Sequence, residues 1–206
     1  MKPEDVQKLI KKKEGQQIEW KSTLPDAFRT ARTLVAFANT SGGTLLIGIK
    51  DNGEIVGVVS ELRELTVLQQ AVELHTEPEL TLTYESVKMN NKLILAVQVA
   101  ESAQKPHVAI DPKNTKIIYV RVKDKTVPTN QFLEATEAAN PQLVKQHNVK
   151  MILNYLRKND TITSDKLAQI TNISDYRAVK LLRDLAENGL LLRIDQPKPL
   201  RYALKS

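Results

Sequence analysis

Hydrophobic spacing along the chain switches several times between the helical period and the strand period, and each switch predicts an element. Between Pro3 and Lys12, Val6, Leu9 and Ile10 fall at helical spacing behind Pro3, Glu4 and Asp5, a composition that suits a helix start. Gln16 to Ser22 then alternates, placing Ile18 and Trp20 on one face and Gln17, Glu19 and Lys21 on the other. Leu24-Pro25-Asp26 opens a helix that carries Phe28, Ala31, Leu34, Val35 and Ala38, and Ser41-Gly42-Gly43 ends it. Thr44 to Lys50 is apolar on both faces, so it reads as a strand covered from two sides. Asp51-Asn52-Gly53-Glu54 predicts a type I′ hairpin turn with Ile55 to Val59 returning, and strand parity carries Asp51 onward with Leu45, Ile47 and Ile49. Gly48 and Gly57 mark a close backbone approach or a bulge.

Ser60 caps a helix over residues 61–75, with Leu62, Leu65, Leu68 and Val72 inward. Leu80 to Met89 and Lys92 to Val99 read as a hairpin about Asn90-Asn91, residues 102–114 as irregular, and Thr115 to Lys123 as a strand. Pro128-Thr129 leads into a helix over residues 130–139, and Asn140-Pro141 reads as a domain boundary. The order lacks strict βαβ alternation. The expected class is therefore α+β with a mixed or antiparallel sheet in residues 1–140, followed by a small domain in residues 141–206.

In that small domain Val149, Ile152, Leu153 and Leu156 define one helix, and Thr163 or Ser164 caps a short second one with Leu167, Ala168 and Ile170. Ser174 caps a third, which buries Ala178, Leu181, Leu182 and Leu185 and ends at Gly189. Two strands, Leu190 to Asp195 and Leu200 to Leu204, follow around Gln196-Pro197-Lys198-Pro199. Helix, short helix, turn, longer helix and hairpin together resemble a winged helix-turn-helix over residues 145–206. The face of the third helix away from its core holds Tyr176, Arg177, Lys180, Arg183 and Asp184, an aromatic and three cations suited to base edges and phosphates, and the wing adds Lys198 and Arg201.

Charge sharpens that expectation. The net charge is +6 over 206 residues, yet residues 1–140 hold 18 Lys+Arg against 18 Asp+Glu, and residues 141–206 hold 12 against 6. All of the excess lies in the last third, which points to an anionic polymer, DNA or RNA, docking there. The absence of cysteine excludes disulfides, thiolate zinc sites and a cysteine nucleophile, and a cytoplasmic protein with no membrane span is expected. No G-x4-G-K-[ST] motif occurs, and Ser41-Gly42-Gly43 precedes a strand rather than a helix, so no phosphate loop is expected there. His75, His107 and His147 lie far apart and show no metal spacing.

The stretch Glu14-x4-Glu19-Trp20-Lys21, followed by AFANTSGGTLLIGIKDNGEIVGV from Ala36 to Val58, resembles the AlbA-like domain of the Schlafen family. Lys105-Pro106-His107 and Tyr119-Val120-Arg121-Val122 extend the likeness to about residues 10–128. In bacteria the resemblance, joined to a winged helix, implies a DNA-binding transcriptional regulator. From the animal proteins it implies a second function, divalent-metal-dependent cleavage of structured RNA such as tRNA. On that reading Glu14, Glu19 and Asp51 would be the carboxylates for Mg²⁺ or Mn²⁺ and Lys21 a partner for the phosphate, while a homodimer would supply a second lobe.

Overall fold

The computed structural model describes residues 1–129, 146–195 and 198–204, which divide into two units, Met1–Thr126 and Val127–Ser206. The expected helix over 130–139, the expected boundary at Asn140-Pro141 and the wing residues Gln196-Pro197 lie outside the described residues. No described helix is long and apolar enough to cross a membrane.

In the first unit the amphipathic N-terminal segment forms α1 (Pro3–Lys12) and buries Val6, and the alternating segment forms β1 (Ile18–Lys21). Asp26 caps α2 (Ala27–Asn39), accepting from the Arg29 amide at 2.8 Å, and eight residues of this helix are buried. At its end the Gly42 amide donates to the Phe37 carbonyl at 2.9 Å. Then come β2 (Gly43–Ile47), α3 (Glu61–His75), a two-residue β3 (Thr76–Glu77), β4 (Leu82–Met89) and β5 (Lys92–Val99). The chain continues through β6 (Val108–Ile110), β7 (Lys116–Val122) and β8 (Lys125–Thr129). One sheet has the order β1-β2-β5-β4, with β1 parallel to β2 and the other pairs antiparallel; a second has the order β3-β6-β7-β8. The lobe is thus α+β with a mixed sheet.

Both faces of the first sheet are covered, which explains why β2 is apolar throughout. Leu45, Ile47, Leu95 and Val97 pack with Leu34, Val35 and Phe37 of α2 and with Leu68 and Val72 of α3. Ile18, Trp20, Leu46, Ile94 and Ala96 pack on the other face with Val6 of α1. Each such fully buried side chain contributes about 1.5–3 kcal/mol relative to exposure. Because Glu19 pairs with Leu45 and Lys21 with Ile47, both polar residues of β1 face the α2 side.

Four local expectations need correction. At Asn52 the backbone φ is not positive, and only Gly53 of that turn is left-handed (φ 84°), its amide donating to the Lys50 carbonyl at 2.8 Å. A type I′ turn needs both central residues there; it forms instead at Asn90-Asn91, with φ of 49° and 60°. The return at Ile55 is a single bridge to Ile49. Leu62 is 77% exposed, since the buried position in the first turn of α3 belongs to Glu64, whose carboxylate accepts from the Leu24 amide at 2.8 Å and Thr23 Oγ1 at 2.6 Å. Finally, the irregular stretch holds β6, three residues being too few to show a period.

The most consequential correction, to the parity expected for Ile49 and Asp51, follows from the bulge or close approach expected at Gly48. Its amide and that of Ile49 both donate to the Lys21 carbonyl, at 2.7 and 3.1 Å, so two residues of this segment oppose one. That is a β-bulge, and it shifts side-chain parity by one. Ile49 consequently joins Trp20 and Val6 on the α1 side rather than Leu45 and Ile47. Glycine is required: φ at Gly48 is 101°, and a Cβ there would stand 3.0 Å from the Gly57 backbone.

The second unit contains α4 (His147–Lys158), α5 (Ser164–Thr171), α6 (Asp175–Glu187), β9 (Leu191–Ile194) and β10 (Arg201–Leu204). Thr163 and Ser174 cap α5 and α6 through their side-chain oxygens. The two strands are antiparallel, and Ile162 joins them through paired 2.8 Å bonds with Tyr202. Its core comprises Val149, Ile152, Leu156, Leu167, Ala178, Leu182 and Leu185, with Leu181 partly buried.

Candidate functional site

On the α2 side of β1 the chain builds an ionic cluster on an apolar floor. Arg121 is buried in β7, yet its guanidinium donates to Glu19 Oε2 at 2.9 Å, to Thr126 Oγ1 at 3.0 Å and to the Gly15 carbonyl at 2.7 Å. It also stands 5.0 Å over the Phe37 ring. The other Glu19 oxygen lies 2.6 Å from Lys21 Nζ, which donates also to the Trp20 carbonyl at 2.9 Å. Glu19 is thus answered by two cations. Such pairing offsets part of the cost of removing these charges from water, and losing one partner would leave the others uncompensated.

Above this cluster opens a cleft of about 520 Å³. Glu19 and Lys21 line it from β1, Leu24 and Pro25 from the following loop, and Arg29, Arg32 and Thr33 from one face of α2. Arg29 makes a loose pair with Asp26 at 3.4 Å. Arg32 stacks 5.0 Å from the Tyr119 ring, and its buried Nε has no hydrogen-bond partner. Burial is the main reason the Tyr119 hydroxyl is held above its ordinary pKa, with Arg32 pulling the other way.

The expected carboxylate triad meets a different arrangement. Glu14 Oε1 accepts from the Trp20 amide at 2.9 Å, and both Glu19 oxygens are engaged as described. Asp51 is exposed in the turn that follows the bulge, where the neighbouring Gly53 lies against Trp20 and Ile10 on the α1 side of the sheet. Among the described residues no three His, Asp or Glu side chains are grouped as ligands of one metal ion. As placed, Glu14, Glu19 and Asp51 do not fit Mg²⁺ or Mn²⁺, which need convergent oxygen ligands. The histidines do not supply a substitute: His107 is buried, with Nδ1 2.8 Å from the Pro78 carbonyl and Nε2 2.7 Å from Ser102 Oγ.

In the second unit α6 presents Tyr176, which is 78% exposed, together with exposed Arg177, Lys180 and Arg183. Lys198 is exposed and Arg201 half-buried at the hairpin. None of these five cations forms an ion pair among the described residues. The face therefore carries positive charge that no ion pair among the described residues neutralises, although Asp175 and Asp184 lie in the same helix.

Arg32, Tyr119 and the buried role of Arg121 were not anticipated from the sequence. A lone arginine inside the apolar run Ile118-Tyr119-Val120-Arg121-Val122 was the available signal for the last, since a buried guanidinium demands a partner. Arg29, Arg32 and Thr33 at i, i+3 and i+4 share a helix face, but nothing local shows that the face borders a cleft.

The DIP2311 protein from Corynebacterium diphtheriae is similar in structure, with 21% identity and a TM-score of 0.40 over 55% of this chain and 26% of that one. This chain thus spans about a quarter of that protein. The N-terminal domain of a protein from Nitrosomonas europaea related to the ATP-dependent DNA helicase RecG is also similar, with 22% identity and a TM-score of 0.42 over 65% of this chain and 97% of that one. Among curated proteins nothing matches. At the level of sequence families, residues 14–130 match Schlafen, AlbA_2, a span that begins at Glu14 and takes in β1, the bulge at Gly48 and the Arg121 strand. The chain belongs to the Schlafen, AlbA_2 family.

Proposed function

We propose that this protein binds nucleic acid through its C-terminal unit and acts as a DNA-binding transcriptional regulator. The observation that carries the reading is the α6 face, where an exposed tyrosine stands beside three cations with no acidic partner among the described residues. Three helices with a bridged hairpin support a winged helix-turn-helix in residues 141–206, whose third helix would enter the major groove. Arg177 and Lys180 would then reach bases or phosphates, and Lys198 and Arg201 the flanking backbone. Membership of the Schlafen, AlbA_2 family accords with a nucleic-acid-related role. The metal-dependent RNase reading has no convergent donor group among the described residues to support it.

The test is fluorescence anisotropy of the full chain on mixed-sequence duplex DNA across a salt series. Binding should weaken steeply with salt, and Arg177→Glu with Lys180→Glu should lower both affinity and the salt slope, the slope by about 1 for each phosphate no longer neutralised. Equal affinity and slope in the double variant would overturn the proposal.

A further inference from the structure

The cleft of the first unit holds a charge that its own residues leave unanswered. Lys21 and Arg121 already satisfy Glu19, and Arg29 has Asp26 beside it. Arg32 has neither an ion pair nor a hydrogen bond among the described residues, although its Nε is buried and its guanidinium is stacked on Tyr119. Arg32 is half-buried, and a guanidinium whose Nε is covered without a partner gains from an anion on its cleft-facing nitrogens. Its guanidinium carbon lies 5.0 Å from the centre of the Tyr119 ring, a contact that restrains the side chain at the cleft, and a guanidinium fork suits bidentate recognition of phosphate.

We infer that this cleft is a binding site for a phosphate monoester borne on a nucleotide-sized body. Counting the ion-pair partners of the lining residues, Lys21, Arg29, Arg32 and Arg121 stand against the acids Glu19 and Asp26, a surplus of two positive charges that matches a dianion. Arg29, Arg32 and Thr33 form one ridge of α2, so the phosphate would sit along a single helix face. Leu24, Pro25 and Leu45 give the remainder of the cleft an apolar wall for a sugar or base. Its volume, about 520 Å³, falls within the usual range for small-molecule sites. The phosphate can arrive on a free nucleotide or on the 5′ end of a strand, and the chemistry recognised is the same.

Calorimetric titration of the full chain with AMP, adenosine and a 5′-phosphorylated single-stranded oligonucleotide tests this. AMP should bind, with adenosine at least about tenfold weaker because it offers no phosphate to the guanidinium fork. Binding of AMP without the oligonucleotide identifies a free nucleotide as the source; comparable binding of the oligonucleotide, abolished when its 5′-phosphate is removed, identifies a strand end. Arg32→Gln and Arg32→Ala should each weaken binding at least about tenfold. Arg32→Lys should fall between these and the unaltered chain, and unchanged circular-dichroism melting separates a binding defect from a folding defect. The Arg177→Glu, Lys180→Glu variant should bind AMP normally, so this inference and the proposed function fail independently. Failure of both AMP and the oligonucleotide to bind at millimolar concentration, or unchanged affinity in Arg32→Gln with folding intact, would overturn it.

Discussion

Several cations of the N-terminal unit are paired with acids, whereas those on the outer face of α6 in the C-terminal unit are not. In the N-terminal unit Lys21 and Arg121 meet Glu19, Lys50 meets Glu54, Arg63 meets Glu64, Lys105 meets Glu101 and Lys116 meets Glu77. On α6 of the C-terminal unit, Arg177, Lys180 and Arg183 meet no acid among the described residues. Paired charge contributes to holding a fold together where it is buried and contributes little where it is exposed. Unpaired charge on a rigid helix is available to a phosphate chain. Net charge alone points the same way here, but it hides Arg32, a half-buried cation without an ion pair among the described residues, in a segment, residues 1–140, whose charges sum to zero.

The comparison breaks most readily at Arg121. Arg121→Ala would leave the Glu19 carboxylate and the Gly15 carbonyl without their buried donor, and urea unfolding should show a loss of about 3–5 kcal/mol. Arg177→Glu with Lys180→Glu should leave the unfolding midpoint nearly unchanged while weakening DNA binding by about 1–3 kcal/mol for each base-reading side chain removed, read by anisotropy. A midpoint shift as large as that of Arg121→Ala would mean that the α6 charges are structural after all. Gly48→Ala forces a side chain into positive φ and against the Gly57 backbone, and should cost about 1–3 kcal/mol in the same urea assay.

The smallest effect concerns pH and touches both units. Burial raises the Tyr119 and Tyr202 hydroxyls above their ordinary value of 10.0. The folded chain therefore holds these protons more tightly than the unfolded chain does. The associated stability is complete below the unfolded value and is lost as pH rises through the raised folded value. Urea midpoints measured at rising alkaline pH should decline, and replacing either tyrosine with phenylalanine should reduce the decline.

Much of the local architecture was legible because it depends on near neighbours. The spacing of Val6, Leu9 and Ile10, the Asp26, Ser60, Thr163 and Ser174 caps, and the alternation of β1 all formed as their residue types require. The hairpin about Asn90-Asn91 was legible, whereas the type I′ geometry expected at Asn52-Gly53 forms at Asn90-Asn91 instead, both pairs being ones that tolerate positive φ. Leu62 misled for a related reason. Helical spacing admits it to the inward stripe, but Glu64 wins the buried position through bonds to Thr23 and Leu24, some forty residues earlier in the chain.

From the sequence alone came the α+β character of the lobe, its likeness to the Schlafen AlbA-like domain, and the concentration of positive charge in the last third, since each rests on composition or local period. Only the tertiary structure decided what the acidic residues of Glu14–Asp51 do. One extra residue at Gly48 turned the following segment over, placing Ile49 and the Asp51 turn on the α1 side of the sheet, while Glu19 faces α2 and is engaged by Arg121 from a strand 102 residues away. Gly48 marks a bulge or a close approach in the sequence, but its effect on the parity of Ile49 and Asp51 depends on which of these forms, and a long-range ion pair is invisible because no local rule joins its partners.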